Sequence, residues 1–320
     1  MDHSLEVKYQ HQAIMLANRV KKRYRYFRKV FGGQNIEVFR LYDWDIPEIR
    51  AVVDWYAGHL VMGEYTRRQS TAKWLPMMGK AVAEALKVPS EKLHLKERFY
   101  GSSDGKRYRR LDYTNKMFVV YERDLKFYVN PWDYVDTGLF ADHRNTRQMI
   151  RQMAHGKDFL NLFCYSGSFS CYAAKGGART TISVDRSRTA VNWVRKNMSL
   201  NNIDLRNHQI IQIHAFDYLA KAKRENLRFD LAVVDPPSFY TIRNRDVSFD
   251  IAQAHPSLLN AVATVMRKGA VIFFSTNHQN FIPLMNALRV ASVKEITDQT
   301  IPADYVRKRK MIHRCWQITV

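Results

Sequence analysis

Cysteine is scarce in this sequence, and its scarcity argues against two kinds of protein. The 320 residues include three cysteines, Cys164, Cys171 and Cys315, and no Cys-x-x-Cys pair. An odd count without such a pair argues against a disulfide framework and provides no cysteine-based zinc site. It is typical of a reducing compartment, and we therefore expect a cytoplasmic protein.

Long apolar runs are missing as well. No run approaches the ~18 residues that a membrane-spanning helix requires. The opening residues, Met1–Glu6, contain no apolar segment of the kind that signal peptides carry. Hydrophobic residues nevertheless make up 46% of the chain, which is enough for a folded core. We expect no membrane partner.

Acidic residues are few in comparison with basic ones. The chain has 51 Lys and Arg against 30 Asp and Glu, which gives a net charge of +21. This excess predicts a polyanionic partner, with nucleic acid ahead of a membrane surface, although a basic run can also be a merely solvated face. The candidate RNA-binding residues are Arg19, Lys21, Lys22, Arg23, Arg25, Arg107, Arg109, Arg243, Arg245, Arg307 and Lys308.

The hydrophobic pattern divides the chain into three predicted parts. Residues 1–35 form a basic helical segment, and residues 36–130 form a small α+β domain. Residues 131–320 alternate regularly between strands and helices. This alternation predicts an α/β, Rossmann-like fold with a seven-stranded, mostly parallel sheet covered on both faces. After the fifth strand we predict a helix over Asn280–Ala291 and two further strands.

Polar side chains follow the predicted strands of the third part where each strand ends, at Asn161, Asp185, Asp217 and Asp235. In a parallel sheet these ends share one edge, where α/β proteins bind ligands. The loop after the first strand has one glycine, Gly167, where a dinucleotide-binding loop has three. The sequence therefore does not favour binding of a pyrophosphate. S-adenosylmethionine has no phosphate, and this row of polar groups predicts it as the cofactor.

Individual positions have predicted roles along that cofactor. Asp185 can accept from both ribose hydroxyls, and Asp217 can accept from the adenine amino group beneath an apolar cover, Phe216. Arg144 can pair with the carboxylate of the cofactor and Asp142 with its ammonium group, unless their segment is a surface turn with an ion pair. The other candidate cofactor-binding residues are Asn161, Phe163, Tyr165, Ser166, Gly167 and Arg186.

The most specific motif is Asp235-Pro236-Pro237-Ser238-Phe239. Its two prolines stiffen the loop after the fourth strand. Asp235 and the neighbouring backbone carbonyl can accept hydrogen bonds from a nucleobase, and Phe239 can stack on that base. Rigid placement favours methyl transfer because the nucleophile must lie in line with the sulfonium methyl group. The predicted catalytic residues are therefore Asp235, Pro236, Pro237 and Phe239.

Several segments resemble the K-type large-subunit ribosomal RNA methyltransferase, the C-terminal module of the bifunctional K/L enzyme. The resemblance implies a class I S-adenosylmethionine-dependent methyltransferase that forms 7-methylguanosine in 23S ribosomal RNA, free or in a pre-ribosomal particle. It also implies a stand-alone K module without the N-terminal half of the fusion. The matching segments are Asp158–Ser168, Gly176–Thr180, Val184–Thr189 and Asp235–Phe239, with Ala17–Arg19, Arg40–Asp43, Asp136–Arg144 and Asp304–Cys315.

The residues themselves leave the methylated atom open. Formation of 5-methylcytidine needs a cysteine nucleophile, and neither Asp235–Phe239 nor Ser275–His278 contains one. Guanine N7 carries a free lone pair and needs no base catalyst, whereas an exocyclic amine (guanine N2 or adenine N6) can use the same motif. A non-catalytic RNA-binding or ribosome-assembly factor is the third alternative. The histidines show no metal-ligand spacing, and we expect no metal.

Overall fold

A computed structural model describes residues 3–65, 71–98, 110–242, 247–306 and 311–320. The polypeptide divides into two units, Met1–Thr137 with Ala303–Lys308, and Gly138–Pro302 with Arg309–Val320. The short segment near residue 305 is therefore a return of the chain to the first unit. Among the described residues, no helix combines the length and the apolar character that crossing a bilayer requires.

A four-stranded sheet forms the centre of the first unit. The first three strands pair antiparallel in chain order, and the fourth pairs parallel to the third after an intervening helix. Two later strands form a separate antiparallel hairpin. The elements are α1 (His3–Gly32), β1 (Val38–Asp43), β2 (Ala51–Tyr56), β3 (His59–Tyr65), α2 (Trp74–Leu86), β4 (Leu93–Arg98), β5 (Phe118–Glu122) and β6 (Leu125–Val129).

Helix α1 is amphipathic, as the sequence of the first unit requires. Tyr9, Leu16, Val20 and Phe27 are buried at helical spacing and join the hydrophobic core that α1 shares with α2 and the sheet. Most basic side chains of α1, including Lys21, Lys22 and Arg25, are exposed. This arrangement lets one helix stabilise the core while it keeps a row of positive charge in water.

The second unit contains the seven-stranded sheet. Its strands are β7 (Asp158–Leu162), β8 (Thr180–Asp185), β9 (His208–Gln212), β10 (Phe229–Val234), β13 (Met266–Thr276), β14 (Ser292–Glu295) and β15 (Arg314–Thr319), and β11 (Phe239–Ile242) and β12 (Val247–Asp250) form a separate hairpin. The strand order in the sheet is β14-β15-β13-β10-β7-β8-β9. Neighbouring strands β13, β10, β7, β8 and β9 pair parallel, whereas β15 inserts antiparallel between β13 and β14.

Alternate residues of this sheet face two separate hydrophobic clusters. In β10, Ala232 and Val234 belong to one cluster, and Leu231 and Val233 belong to the other. Burial on both faces explains why the strands read as continuous apolar runs. The helices are α3 (Arg144–Met153), α4 (Ser168–Lys175), α5 (Arg188–Leu200), α6 (Ala215–Arg224), α7 (Ile251–Ala263) and α8 (Thr297–Thr300).

The predicted helix over Asn280–Ala291 is wrong. This segment is irregular apart from one short 3₁₀ turn, Met285–Ala287. Pro283 disfavours a helical conformation at the residue before it and removes a donor. Side chains of α7 satisfy the loop backbone instead: Leu284 N–H donates to His255 Nε2 at 2.9 Å, and Asn260 Nδ2 donates to the carbonyl of Ala287 at 3.1 Å.

Candidate active site

The loop after β7 has an unusual backbone. Phe163, Tyr165 and Gly167 have φ values of 56°, 48° and 76°, so three of five consecutive residues are left-handed. A Cβ atom at Gly167 would lie 2.6 Å from Cγ1 of Val194 in α5. Glycine is required there by both the backbone angle and the close approach of α5. Left-handed residues other than glycine cost energy and concentrate at ligand-binding sites.

Neighbouring elements hold this loop in place. Cys164 N–H donates to the carbonyl of Val184 at 3.0 Å, and Tyr165 N–H donates to Asp185 Oδ2 at 3.1 Å. From α5, Asn197 Nδ2 donates to the carbonyl of Ser166 at 2.9 Å. The strained conformation is therefore held by hydrogen bonds to β8 and α5 within the protein itself, and such preorganisation favours tight binding.

Asp185 stands at the second strand tip and organises two turns. Its Oδ1 accepts from Ser187 N–H at 2.8 Å, while its Oδ2 accepts from Tyr165 N–H. Burial raises the pKa of this carboxyl group above its usual value. Each carboxylate oxygen keeps a second lone pair, so the predicted ribose contact stays compatible with these bonds. The neighbouring Arg186 is exposed and lies 4.4 Å above the ring of Tyr240.

Asn161 lies below the open edge of the sheet and not at a strand tip. It is 1% exposed, and its Nδ2 donates to Ser170 Oγ at 2.9 Å. Ser183 Oγ donates to the same oxygen at 2.7 Å. This buried bridge joins β7, α4 and β8, so the placement favours support of the loop over the cofactor contact that we predicted for Asn161.

The third tip carries Phe216 and Asp217 at the start of α6. Phe216 is half-buried and stacks on His214 with ring centroids 5.9 Å apart. Asp217 is exposed in the first turn of the helix, where a carboxylate is favourable. Both side chains follow β9, at the same edge of the sheet as the β7 loop, which keeps their predicted adenine contacts possible.

The Asp-Pro-Pro loop follows β10, beside the β7 loop. Asp235 Oδ1 accepts from Ser275 Oγ at 2.6 Å. Farther along, Ser238 Oγ donates to Asn277 Oδ1 at 2.7 Å, and Phe239 is 36% exposed. Residues at the end of β13 therefore brace this loop twice. Sequence reasoning missed Ser275 because we examined that segment only for a cysteine.

Asp142 and Arg144 precede β7 in the chain and lie in the second unit. Asp142 Oδ2 lies 3.1 Å from His313 Nδ1. Arg144 is 1% exposed at the start of α3, so its guanidinium lies inside the unit and not on an open surface turn. The predicted contacts of both residues with the methionine end of the cofactor stay predictions.

Asp142, His143 and His313 have donor atoms within 4.8 Å of one another, a spacing that could hold a metal ion. The two imidazole rings are stacked, however, with centroids 4.4 Å apart and planes 10° apart. Ring nitrogens bind a metal in the ring plane at about 2.1 Å. In-plane lone pairs of two parallel rings do not converge on one ion, so this geometry favours a hydrogen-bonded cluster over a metal centre.

All three cysteines are buried and free. Burial raises the pKa of the Cys171 thiol to about 12 and that of Cys164 well above its usual value. Burial raises the pKa of Cys315 as well. A thiolate is the form that attacks carbon, and none of these environments favours one.

The basic residues of α1 differ in their surroundings. Arg19 pairs with Asp45, Nε to Oδ2 at 2.7 Å, and Arg23 is half-buried over the ring of Phe27. The side chains of Lys21, Lys22 and Arg25 are exposed. The predicted RNA-binding residues Arg107, Arg109, Arg243, Arg245, Arg307 and Lys308 lie outside the described residues.

Comparisons with known proteins agree on one chemistry. Residues 53–292 match a family model described as S-adenosylmethionine-dependent methyltransferase. The chain is 37% identical over 307 residues to ribosomal RNA large subunit methyltransferase K of Neisseria meningitidis serogroup B. The alignment covers 94% of this chain and 86% of that protein. It is 37% identical over 312 residues to the K/L methyltransferase of Vibrio cholerae, covering 95% of this chain but 43% of that protein.

A solved structure shows the same fold. A methyltransferase in complex with S-adenosylhomocysteine superposes with a TM-score of 0.75 at 22% identity, covering 97% of this chain and 81% of that one. The predicted fold class, with its mostly parallel seven-stranded sheet, is thereby confirmed. The chain spans less than half the length of the K/L relative.

Proposed function

Because the chain belongs to the family of S-adenosylmethionine-dependent methyltransferases, we propose that it methylates guanine N7 in large-subunit ribosomal RNA. The enzyme class and the cofactor follow from the family, as predicted. The RNA and the methylated atom are the proposal. The observation that carries it is the braced Asp-Pro-Pro loop beside the strained β7 loop, at the point where the strand order reverses.

The row of strand tips suits the shape of S-adenosylmethionine. The loop around Gly167 offers close backbone approach to the methionine part, Asp185 offers acceptors to the ribose, and α6 begins where the adenine would lie. When bound, the cofactor supplies an electrophilic methyl group on a sulfonium.

The Asp-Pro-Pro loop suits the binding of a nucleobase. Asp235 is fixed on one oxygen by Ser275, and Phe239 presents an exposed ring for stacking. A carboxylate braced in this way can orient a guanine by accepting hydrogen bonds from its N–H groups. Guanine N7 carries a free lone pair, so methylation at N7 requires nothing of this loop beyond orientation.

Large-subunit ribosomal RNA as the substrate is supported by the names of the K and K/L relatives and by the net charge of +21. A polyanion is attracted by such a charge over long distances. A pre-ribosomal particle and naked 23S RNA share this chemistry, and action in the cytoplasm remains a prediction.

Nucleoside mass spectrometry tests the proposal directly. The purified chain, large-subunit ribosomal RNA and isotopically labelled S-adenosylmethionine should yield labelled 7-methylguanosine. Label in N2-methylguanosine or N6-methyladenosine would instead show that the methylated atom is an exocyclic amine nitrogen. Cofactor binding without any incorporation into naked RNA or pre-ribosomal particles would favour an RNA-binding factor.

Replacing all three cysteines by alanine should leave kcat within about threefold of wild type, because no thiolate takes part in the reaction. Each substitution leaves a small cavity, so we expect a lower melting temperature. The measurement is steady-state methyl transfer at a temperature below the transition. A loss of activity with the protein still folded and the cofactor still bound would reinstate thiolate chemistry.

Charge reversal at Lys21, Lys22 and Arg25 should weaken RNA binding at least tenfold in 0.1 M salt. Each phosphate contact contributes about 0.7 to 0.9 to the steepness of log K against log salt, so the slope should become shallower as well. The matched control reverses Lys221, Lys223 and Arg224, three exposed cations of α6. Equal losses in the two triple variants would mean that only net charge matters, and not the α1 face.

A further inference from the structure

Two stacked histidines have no role in the proposed function, and one of them, His143, adjoins Asp235. His143 precedes α3 and His313 precedes β15, and they are 6% and 2% exposed. Their rings lie face to face, with centroids 4.4 Å apart. Buried imidazoles in contact with active-site carboxylates need hydrogen-bond partners, and those partners define what each ring can do.

The partners of His313 fix its ring. The Thr300 hydroxyl donates its hydrogen to the carbonyl of Thr297 at 2.8 Å, so its oxygen accepts from His313 Nε2 at 3.0 Å. The other ring nitrogen, Nδ1, faces Asp142 Oδ2 at 3.1 Å. Contacts at both ring nitrogens fix the ring plane of His313, which presents one face to His143.

His143 has a different environment. Its Nε2 lies 3.5 Å from Asp235 Oδ2 and 3.8 Å from Asp142 Oδ2, whereas its Nδ1 is buried without a hydrogen-bond partner. Buried N–H groups without an acceptor are rare, so the hydrogen belongs on Nε2, facing the two carboxylates. Burial lowers the pKa of His143, in keeping with one hydrogen on the ring.

Asp235 is thus approached on both oxygens. Ser275 Oγ donates to Oδ1 at 2.6 Å, and His143 Nε2 stands beside Oδ2. A separation of 3.5 Å is long for a hydrogen bond, but contacts in active sites commonly shorten when a substrate completes them. One donor on each oxygen prevents rotation of the carboxylate about its Cβ–Cγ bond, whereas a single donor does not.

We propose that His143 is a positioning residue for methyl transfer, which donates Nε2–H to Asp235 and fixes the carboxylate plane that orients the target base. The inference rests on the role of Asp235 in the proposed function. His313 acts one step farther away, because its stacked ring fixes the plane of His143. Orientation errors of about 1 Å cost roughly 100-fold in rate, which sets the scale of the expected effect.

Two variants separate positioning from packing. His143→Phe keeps a ring against His313 and against Phe169, whose centroid is 5.7 Å away, but it has no donor. His143→Gln loses the ring but retains an amide donor near the position of Nε2. We expect His143→Phe to lower kcat about 10- to 100-fold with KM for S-adenosylmethionine within twofold, and His143→Gln to regain at least tenfold of that loss. A purely structural role would give the opposite ranking, and that ranking would overturn the proposal.

A second measurement does not depend on the RNA substrate. The ¹⁵N and ¹H shifts of the His143 Nε2–H group should change when Asp235 is replaced by asparagine, because its acceptor changes. Unchanged shifts would refute the contact. If wild-type protein transfers no methyl group to ribosomal RNA, the proposed function fails, and the shifts still decide the contact between His143 and Asp235.

Discussion

Replacing Asp235 by alanine is expected to lower kcat by about 1,000-fold while the affinity for S-adenosylmethionine stays within a few-fold of wild type. In the proposed function the carboxylate accepts hydrogen bonds from the target base, and it is braced by Ser275 at 2.6 Å. Losing a preorganised acceptor and the orientation it provides typically removes two to three orders of magnitude. Steady-state transfer to ribosomal RNA and calorimetry with S-adenosylhomocysteine give the two numbers.

Asp298→Ala is the matched control for this prediction, because it removes an exposed carboxylate from the same unit. Asp235→Asn adds a sharper comparison. Its amide keeps one acceptor but turns a donor toward the donors of the base, so we expect a loss close to that of alanine. Full activity in the alanine variant would show that Asp235 does not orient the base.

Replacing Asp185 by alanine should raise the Kd for the cofactor about 100-fold. The change removes the predicted ribose acceptor and leaves two backbone N–H groups, of Tyr165 and Ser187, without their partner. A hydrogen bond to a charged group contributes about 1.5–3 kcal/mol, and 1.4 kcal/mol is a tenfold change in affinity. The strained β7 loop also loses one of its supports. Isothermal calorimetry measures the affinity.

Asp204 provides an unusually close control for Asp185. It too accepts a hydrogen bond from the backbone N–H two residues later, Arg206, at 2.9 Å, but it lies on the exposed surface. Asp204→Ala should leave cofactor affinity unchanged. If Asp185→Ala binds as tightly as wild type, the ribose contact assigned to Asp185 is wrong, and if both variants weaken binding, the effect comes from stability and not from the site.

Much of the site could be read from local sequence. Gly167, Asp185, Phe216, Asp217 and Asp235 all follow strands that the hydrophobic pattern predicts, and the structure places them at one edge of the sheet. The pattern is sufficient because parallel strands end at the same edge, so a residue's position along its strand fixes its position in space. All three cysteines are buried, as packing residues are.

The wrong helix prediction and one unforeseen contact both arise where distant parts of the chain compete with local preference. The segment Asn280–Ala291 has apolar residues at near-helical spacing, yet Pro283 and the hydrogen bonds from α7 hold it as an irregular loop. Asn161 stands one residue before the end of its strand, and its side chain turned out to point into a buried bridge. Neither contact can be read from a local window.

The sequence alone determined which faces are buried, where strands end and which polar groups follow them, because these properties depend on residues within a few positions of one another. Only the tertiary structure brought His313 to within 3.1 Å of Asp142, 171 residues earlier, and placed His143 beside Asp235. Polar partners of this kind meet because the folded sheet carries them to one edge and because burial leaves each with few alternatives. Hydrophobic periodicity predicts which face of a helix or strand is buried, but it does not predict which side chains meet there.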